Sequence, residues 1–191
     1  MKEETRNRIL TAARTVFARA GFRGATTQEI AREAKVNEVT LFRHFKNKNL
    51  LYSAVIGRCV DAQKEILGQA IQSDARLEEV LLSVAESYHT AVVNAADFIR
   101  ISIAESQNDT RHPHRKLYEV VKPFRDQFRL FLVHRQKAGE IHPDVDCEVA
   151  MEAFISLFFG NAIKPKIIPV SFSVDEYRRF CVKIFVRGLR P

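Results

Sequence analysis

Between Thr26 and Lys48 the chain reads TTQEIAREAKVNEVTLFRHFKNK, and many of these side chains suit base edges and phosphates. Glu38 can accept from the amino group of a cytosine, and the methyls of Val39 and Thr40 match the thymine methyl. Lys46 and Lys48, with the free amides of the helix start beside them, offer a phosphate site, and Thr27 and Gln28 offer another. Arg43 and His44 share the outward face with Glu38. Arg43 is either a phosphate clamp or a solvated charge, and Glu38 either reads a base or repels phosphate. This chemistry needs two short helices that cross tightly, the second lying in the major groove of duplex DNA.

The local spacing supplies those helices. Ile9, Leu10, Ala13, Val16, Phe17 and Ala20 form one apolar stripe on a first helix. Gly21 follows as a left-handed cap, with Phe22 folding back onto the helix. Thr26 caps a second helix, where Glu29 three residues on completes a capping box. Asn37 caps a third helix, and Asn47 a fourth that begins near Lys48. Ala31 is the small residue that a close crossing requires, and Ile30, Val36, Leu41 and Phe45 close a small core around it.

Longer helices are predicted over 48–72, 76–93, 97–106, 114–138, 145–162 and 174–188, the last stopping at Gly188. Pro123 kinks the 114–138 helix or marks a break near its start. NDTRHPH is a loop, AGEIHPD a turn, and KPKIIPVSFS too rich in proline for a helix. With no alternating strand pattern, the expected fold class is all-α. Residues 1–50 form a three-helix domain with a helix-turn-helix, and 51–191 form a larger helical domain.

Charge is distributed to match. Residues 1–50 carry eleven Lys/Arg against five Glu, whereas the other 141 carry nineteen basic and eighteen acidic side chains. Basicity confined to one end points to a polyanion partner for that end. Cys59, Cys147 and Cys181 are odd in number and widely spaced, which argues against a disulfide framework or zinc site and for a reducing, cytoplasmic setting. MKEETRNRIL is charged where a signal peptide needs an apolar run. The longest apolar stretch, 153–160, falls short of the roughly 20 residues of a spanning helix. No Gly-x-Ser-x-Gly elbow, His-Glu-x-x-His helix or phosphate loop occurs. His112-Pro-His114 is a metal pair or an exposed polar loop. No enzyme activity and no cofactor is expected.

Two further groups are each core or function. Met151, Phe154, Ile155, Phe158 and Ala162 make one stripe, and Tyr177, Phe180, Cys181, Ile184 and Phe185 another; each serves a core or a partner helix. Phe124, Phe128, Phe131 and Leu132, with Phe98, Ile99 and Ile103, either fill the interior or wall an apolar pocket to which Tyr88 and His89 add polar contacts.

The run RNRILTAARTVFARAGFRGATTQEIAREAKVNEVTLFRHFKNKNLL resembles the DNA-binding domain of the TetR family of transcriptional regulators over about residues 5 to 52. The match lies in the Ala-Ala, Phe and Gly-Phe of the first helix, the Thr-Thr start and the Ile-Ala of the second, and Val-x-x-x-Thr-Leu-Phe-x-x-Phe-x-x-Lys ending at Lys48. The resemblance implies DNA contacts at Thr27, Gln28, Asn37, Glu38, Val39, Thr40, Phe42, His44 and Lys48. It departs from the family at Lys35, where glycine is usual and a left-handed backbone is implied, and at Phe42, which lacks the hydroxyl of the usual tyrosine. It also implies a homodimer through the last two long helices, here around Met151, Phe154, Ile155, Phe158, Phe180 and Ile184. Such a dimer sets two recognition helices about 35 Å apart on a palindromic operator. The implied function is a repressor released by a small, largely apolar effector. The alternatives are a DNA-binding regulator or architectural protein without an effector, and a helical small-molecule-binding or enzymatic protein whose helix-turn-helix is vestigial.

Overall fold

Apolar residues at helical spacing recur along almost the whole chain, and helix is what they build. The computed structural model describes residues 2–58, 60–96, 99, 113–163 and 171–191, with backbone alone over 113–120. Among these residues there are nine helices and no strand: α1 (Lys2–Gly24), α2 (Thr27–Glu33), α3 (Glu38–His44), α4 (Lys48–Arg58), α5 (Asp61–Ile71), α6 (Leu77–Asn94), α7 (Pro113–Lys137), α8 (Cys147–Ile163) and α9 (Val174–Leu189). The all-α class is as expected. The helix anticipated over 97–106 lies, apart from Ile99, outside the described residues.

The single helix anticipated over 48–72 is two helices, α4 and α5. Gly57, a poor helix former, weakens the end of α4, and Val60 leaves the helical region at φ −115°, ψ 0° with its side chain buried. Asp61 then starts α5, where the helix dipole favours a carboxylate. Pro123 lies within α7 without ending it, and α9 runs past Gly188 to Leu189.

By packing, the chain divides into two units, Met1–Cys59 with Asn94–Val121, and Val60–Val93 with Lys122–Pro191. The first is closed by Ile9, Val16 and Phe17 of α1, Ile30 of α2, Leu41 of α3 and Leu51 of α4, and Ile99 and Val121 pack against this core. Each such aliphatic or aromatic side chain contributes about 1.5–3 kcal/mol by leaving water. Gly21 has the positive φ expected of it (71°), but its ψ of 177° is extended rather than left-handed helical, so the chain resumes a last helical turn through Gly24. Phe22 does fold back, with its ring 6.0 Å from Phe17 and 5.0 Å from Tyr52.

The second unit is centred on Phe128, Phe131, Leu132, Phe154 and Phe158, all buried. Its turn between α7 and α8 opens on Gly139 at φ 79°, and Gln136 then gathers the carbonyls of His142, Pro143 and Val145. Ser173 and Glu176 form a full capping box at the start of α9, a Ser-x-x-Glu signal present in the sequence and overlooked there.

Candidate nucleic-acid interface

The α2–α3 pair owes its shape to three Asx or Thr caps and one strained turn. Thr26 Oγ1 accepts from the amide of Glu29 (3.1 Å), Asn37 Oδ1 from that of Thr40 (2.7 Å), and Asn47 Oδ1 from that of Leu50 (2.9 Å). These bonds satisfy amides that a helix start leaves unpaired. The capping box expected at Thr26 is half formed: Glu29 takes its carboxylate to Arg19 at 2.5 Å, trading a local bond for an ion pair with α1.

Lys35 adopts φ 53°, the left-handed backbone that a glycine would take more cheaply. The compensation comes from α1. Arg8 donates from Nη2 to the carbonyls of Ala34 (2.8 Å) and Lys35 (2.9 Å), and from Nε to Ala34 again (3.3 Å). Arg6 lies 5.3 Å over the ring of Phe45, so α1 also grips the end of α3. Sequence reading missed Arg8 because its partners lie 26 and 27 residues away and no periodicity joins them. Arg8→Ala is expected to lower stability by about 1–2 kcal/mol, since a charged donor is lost from a partly exposed site. It should weaken DNA binding without changing the slope of log K against log salt, because the guanidinium is spent on carbonyls. Urea unfolding and operator titration at several salt concentrations measure both. A reduced slope would instead make Arg8 a phosphate contact.

On α3 the small core is as expected, with Ile30, Ala31, Leu41 and Phe45 buried and Val36 half-buried. The other face is open. Val39 is 77% exposed, and Phe42 and Arg43 are exposed beside it. Thr40 and His44 are half-buried at its edges, and Gln28, Asn37 and Lys46 are exposed. Thr27 and Glu38, each anticipated separately as a DNA contact, are bonded to one another, Thr27 Oγ1 donating to Glu38 Oε1. A cleft of about 700 Å³ lies between α2 and α3, with Gln28, Arg32, Asn37 and Glu38 on its walls.

Lys48 is partly committed within the fold. Its ammonium donates to the carbonyl of Ala25 at 2.9 Å and sits 4.6 Å over the ring of Phe22. Two of its three donors remain for a phosphate. Lys48→Ala should therefore cost about 1 kcal/mol of stability and, if the ammonium also meets phosphate, flatten the salt slope by roughly 1. An unchanged slope would confine Lys48 to its structural role.

Of the residues anticipated for an effector, the three on α7 are packed as core. Phe124, Phe128 and Phe131 are fully buried; ring centroids lie 5.9 Å apart for Tyr88–Phe124, 6.0 Å for Phe124–Phe128 and 5.1 Å for Phe128–Phe154. Burial pushes the Tyr88 hydroxyl up to about 12, against the opposing charge of Arg125. His89 is buried with Nε2 unpaired among the described residues, and its pKa is lowered, first by burial and then by Arg178. Phe98 and Ile103 lie outside the described residues, as does His112, and nothing is described of the His114 side chain. A cleft of about 340 Å³ occurs elsewhere in this unit, lined by Arg76, Leu77, Gly139, Glu140, Val186 and Arg190. Cys147 and Cys181 are free, buried thiols, and burial raises the pKa of each. Among the described residues no group of three His, Cys, Asp or Glu could hold a metal, and no helix is long and apolar enough to cross a membrane.

The stripe anticipated for dimerisation is corrected on α8. Met151, Phe154 and Phe158 are buried within the unit, Phe154 against Phe128, Phe158 and Phe185, and Ile155 is half-buried. The outer face of α8 instead carries Val149 (63% exposed), Ala153, Ser156 and Gly160. On α9, Phe180 and Ile184 are 64% and 50% exposed.

A capped helix pair with a left-handed turn and an open second helix, followed by a larger helical unit, defines a helix-turn-helix DNA-binding regulator. Residues 9–55 match the model of the bacterial regulatory proteins of the tetR family. The chain is 28% identical over 191 residues to YvkB of Bacillus subtilis (strain 168), described as an uncharacterized HTH-type transcriptional regulator, with 97% of each chain covered. It is 26% identical over 156 residues to the HTH-type transcriptional repressor KstR2 of Rhodococcus jostii (strain RHA1), covering 78% of this chain and 74% of the relative. Its fold is shared with the transcriptional regulator FadR of Bacillus subtilis, solved in complex with stearoyl-CoA, at a TM-score of 0.73 and 19% identity, with 96% and 99% of the two chains covered. Residues 9–55 thus carry a DNA-binding domain of the tetR type. The chain is a transcriptional regulator and not an enzyme.

Proposed function

We propose that the chain acts as a homodimer that represses transcription from a palindromic operator and is released by a small, largely apolar effector. In this reading residues 1–50 hold the DNA contacts and 51–191 pair the subunits and sense the effector. The observation that carries it is the exposure of apolar and small residues on α8 and α9, Val149, Ala153, Phe180 and Ile184. Two copies joined there by a two-fold axis bring two α3 helices to one operator, about one DNA turn apart. The effector must bind the DNA-free form better than the DNA-bound form, and the ratio of those affinities sets the response.

Selection of bound sequences from a random duplex pool by the purified chain tests this. A palindrome with half-sites about one turn apart is the expected result. Salt-sensitive binding with no consensus would reduce the chain to an electrostatic DNA binder. The buried Phe124–Phe128–Phe131 line favours a second reading, a regulator without an effector. A thermal shift with apolar metabolites, accompanied by operator release, decides against that reading.

A further inference from the structure

We propose that Glu38, oriented by Thr27, selects a cytosine in each half-site; this rests on reading α3 as the helix that enters the major groove. Thr27 is the first residue of α2 and Glu38 the first of α3. The Thr27 hydroxyl donates to Glu38 Oε1 at 2.5 Å across eleven residues of sequence, and the carboxylate stands half-buried at the junction of the two helices. Asn37 beside it is occupied in capping α3 through Thr40, so the start of the helix is fixed as well. A free glutamate would scatter over many rotamers. This one is held before DNA arrives, so little conformational freedom remains to be lost on contact.

The chemistry of a carboxylate narrows what it can read. Ionised, it only accepts, and Thr27 takes one of its roughly four acceptor sites. In the major groove guanine shows two acceptors and thymine an acceptor and a methyl, so both leave the carboxylate facing lone pairs or apolar surface. Adenine has an amino donor, but its N7 acceptor lies next to it. Cytosine offers the amino group with no acceptor on its outer side, the O6 of the paired guanine lying towards the middle of the pair. A wrong base therefore costs more than a missing bond, because a buried anion is left against acceptors. Thr27 suits the positioning role because a hydroxyl fixes the carboxylate without neutralising it, as a lysine or arginine would. Val39, the next residue and 77% exposed, adds apolar surface suited to a neighbouring thymine methyl.

The test is selection from a random duplex pool, at one salt concentration, with the full wild-type chain, Glu38→Ala and Thr27→Val, each checked for folding by thermal melting. The wild type should recover a palindrome in which one C·G pair per half-site is preferred about tenfold over the other pairs. Glu38→Ala should keep the rest of the palindrome and lose that preference, and Thr27→Val should keep it in weakened form. A purely structural pair would lower melting and affinity without altering any base preference. A wild-type palindrome whose preferences are all unchanged in Glu38→Ala overturns the inference and leaves the DNA-reading function intact. No consensus at all in the wild type overturns both.

Discussion

Phe180→Glu combined with Ile184→Glu is expected to leave the chain folded and monomeric, and to weaken operator binding by about a hundredfold to ten-thousandfold. Both side chains are at least half solvated, so their replacement should change the stability of the chain by no more than about 0.5 kcal/mol. In the proposed dimer the same positions would be dry, and two carboxylates from each copy would be buried without partners, a large cost to association. Operator affinity then falls because the second half-site is no longer presented at the high effective concentration that linkage provides. Sedimentation gives the oligomeric state and a titration with duplex operator gives the affinity. Double-mutant protein that still sediments as a dimer would move the interface off α9, and a monomeric wild type would end the dimer reading.

The second large effect concerns the aromatic line. Phe128 is fully buried, with the rings of Phe124 and Phe154 against it at 6.0 Å and 5.1 Å. Phe128→Ala should destabilise the chain by about 3–5 kcal/mol, the sum of lost apolar transfer and the void left behind. Phe128→Leu should recover about half of that by refilling part of the space. Urea unfolding of the three proteins measures the differences. A loss below about 1 kcal/mol for the alanine variant would mean that the ring borders an open pocket, and would favour the effector-responsive reading.

What was legible in the sequence was local. Thr26 and Asn37 sit three residues from the amides they cap, so the reading head could be outlined from spacing alone. Lys35 was legible only through the family resemblance, which marked the position as one where glycine is usual. Contacts between distant positions were hidden: Arg8 to Ala34, and Glu29 to Arg19, follow from how α1 lies across α2 and leave no periodic trace. The stripe on α8 failed for a different reason. With Met151, Phe154, Ile155, Phe158 and Phe159 within nine residues, that helix is apolar on almost every side, and periodicity cannot say which side meets its own core. On α9 charged residues such as Arg179, Lys183 and Arg187 alternate with the apolar ones, yet the stripe read there joined the exposed Phe180 and Ile184 to the buried Cys181.

The clamp of Arg8 on the α2–α3 turn also has a bearing on folding order. It closes a loop of 26 residues, and such a closure gains its bonds only after the intervening chain has lost its freedom. The turn is therefore expected to settle last within the reading head and to open first, well before the core around Phe17 and Leu41 gives way. Amide exchange at Val36, whose N–H bonds to Ala31 at 3.0 Å, should be faster than at Phe45, bonded to Leu41 at 2.8 Å. Equal rates would mean that the whole head opens as one piece. With unequal rates, the spacing between α2 and α3 has a give of its own, and the geometry offered to DNA is adjustable from a point near the start of the chain.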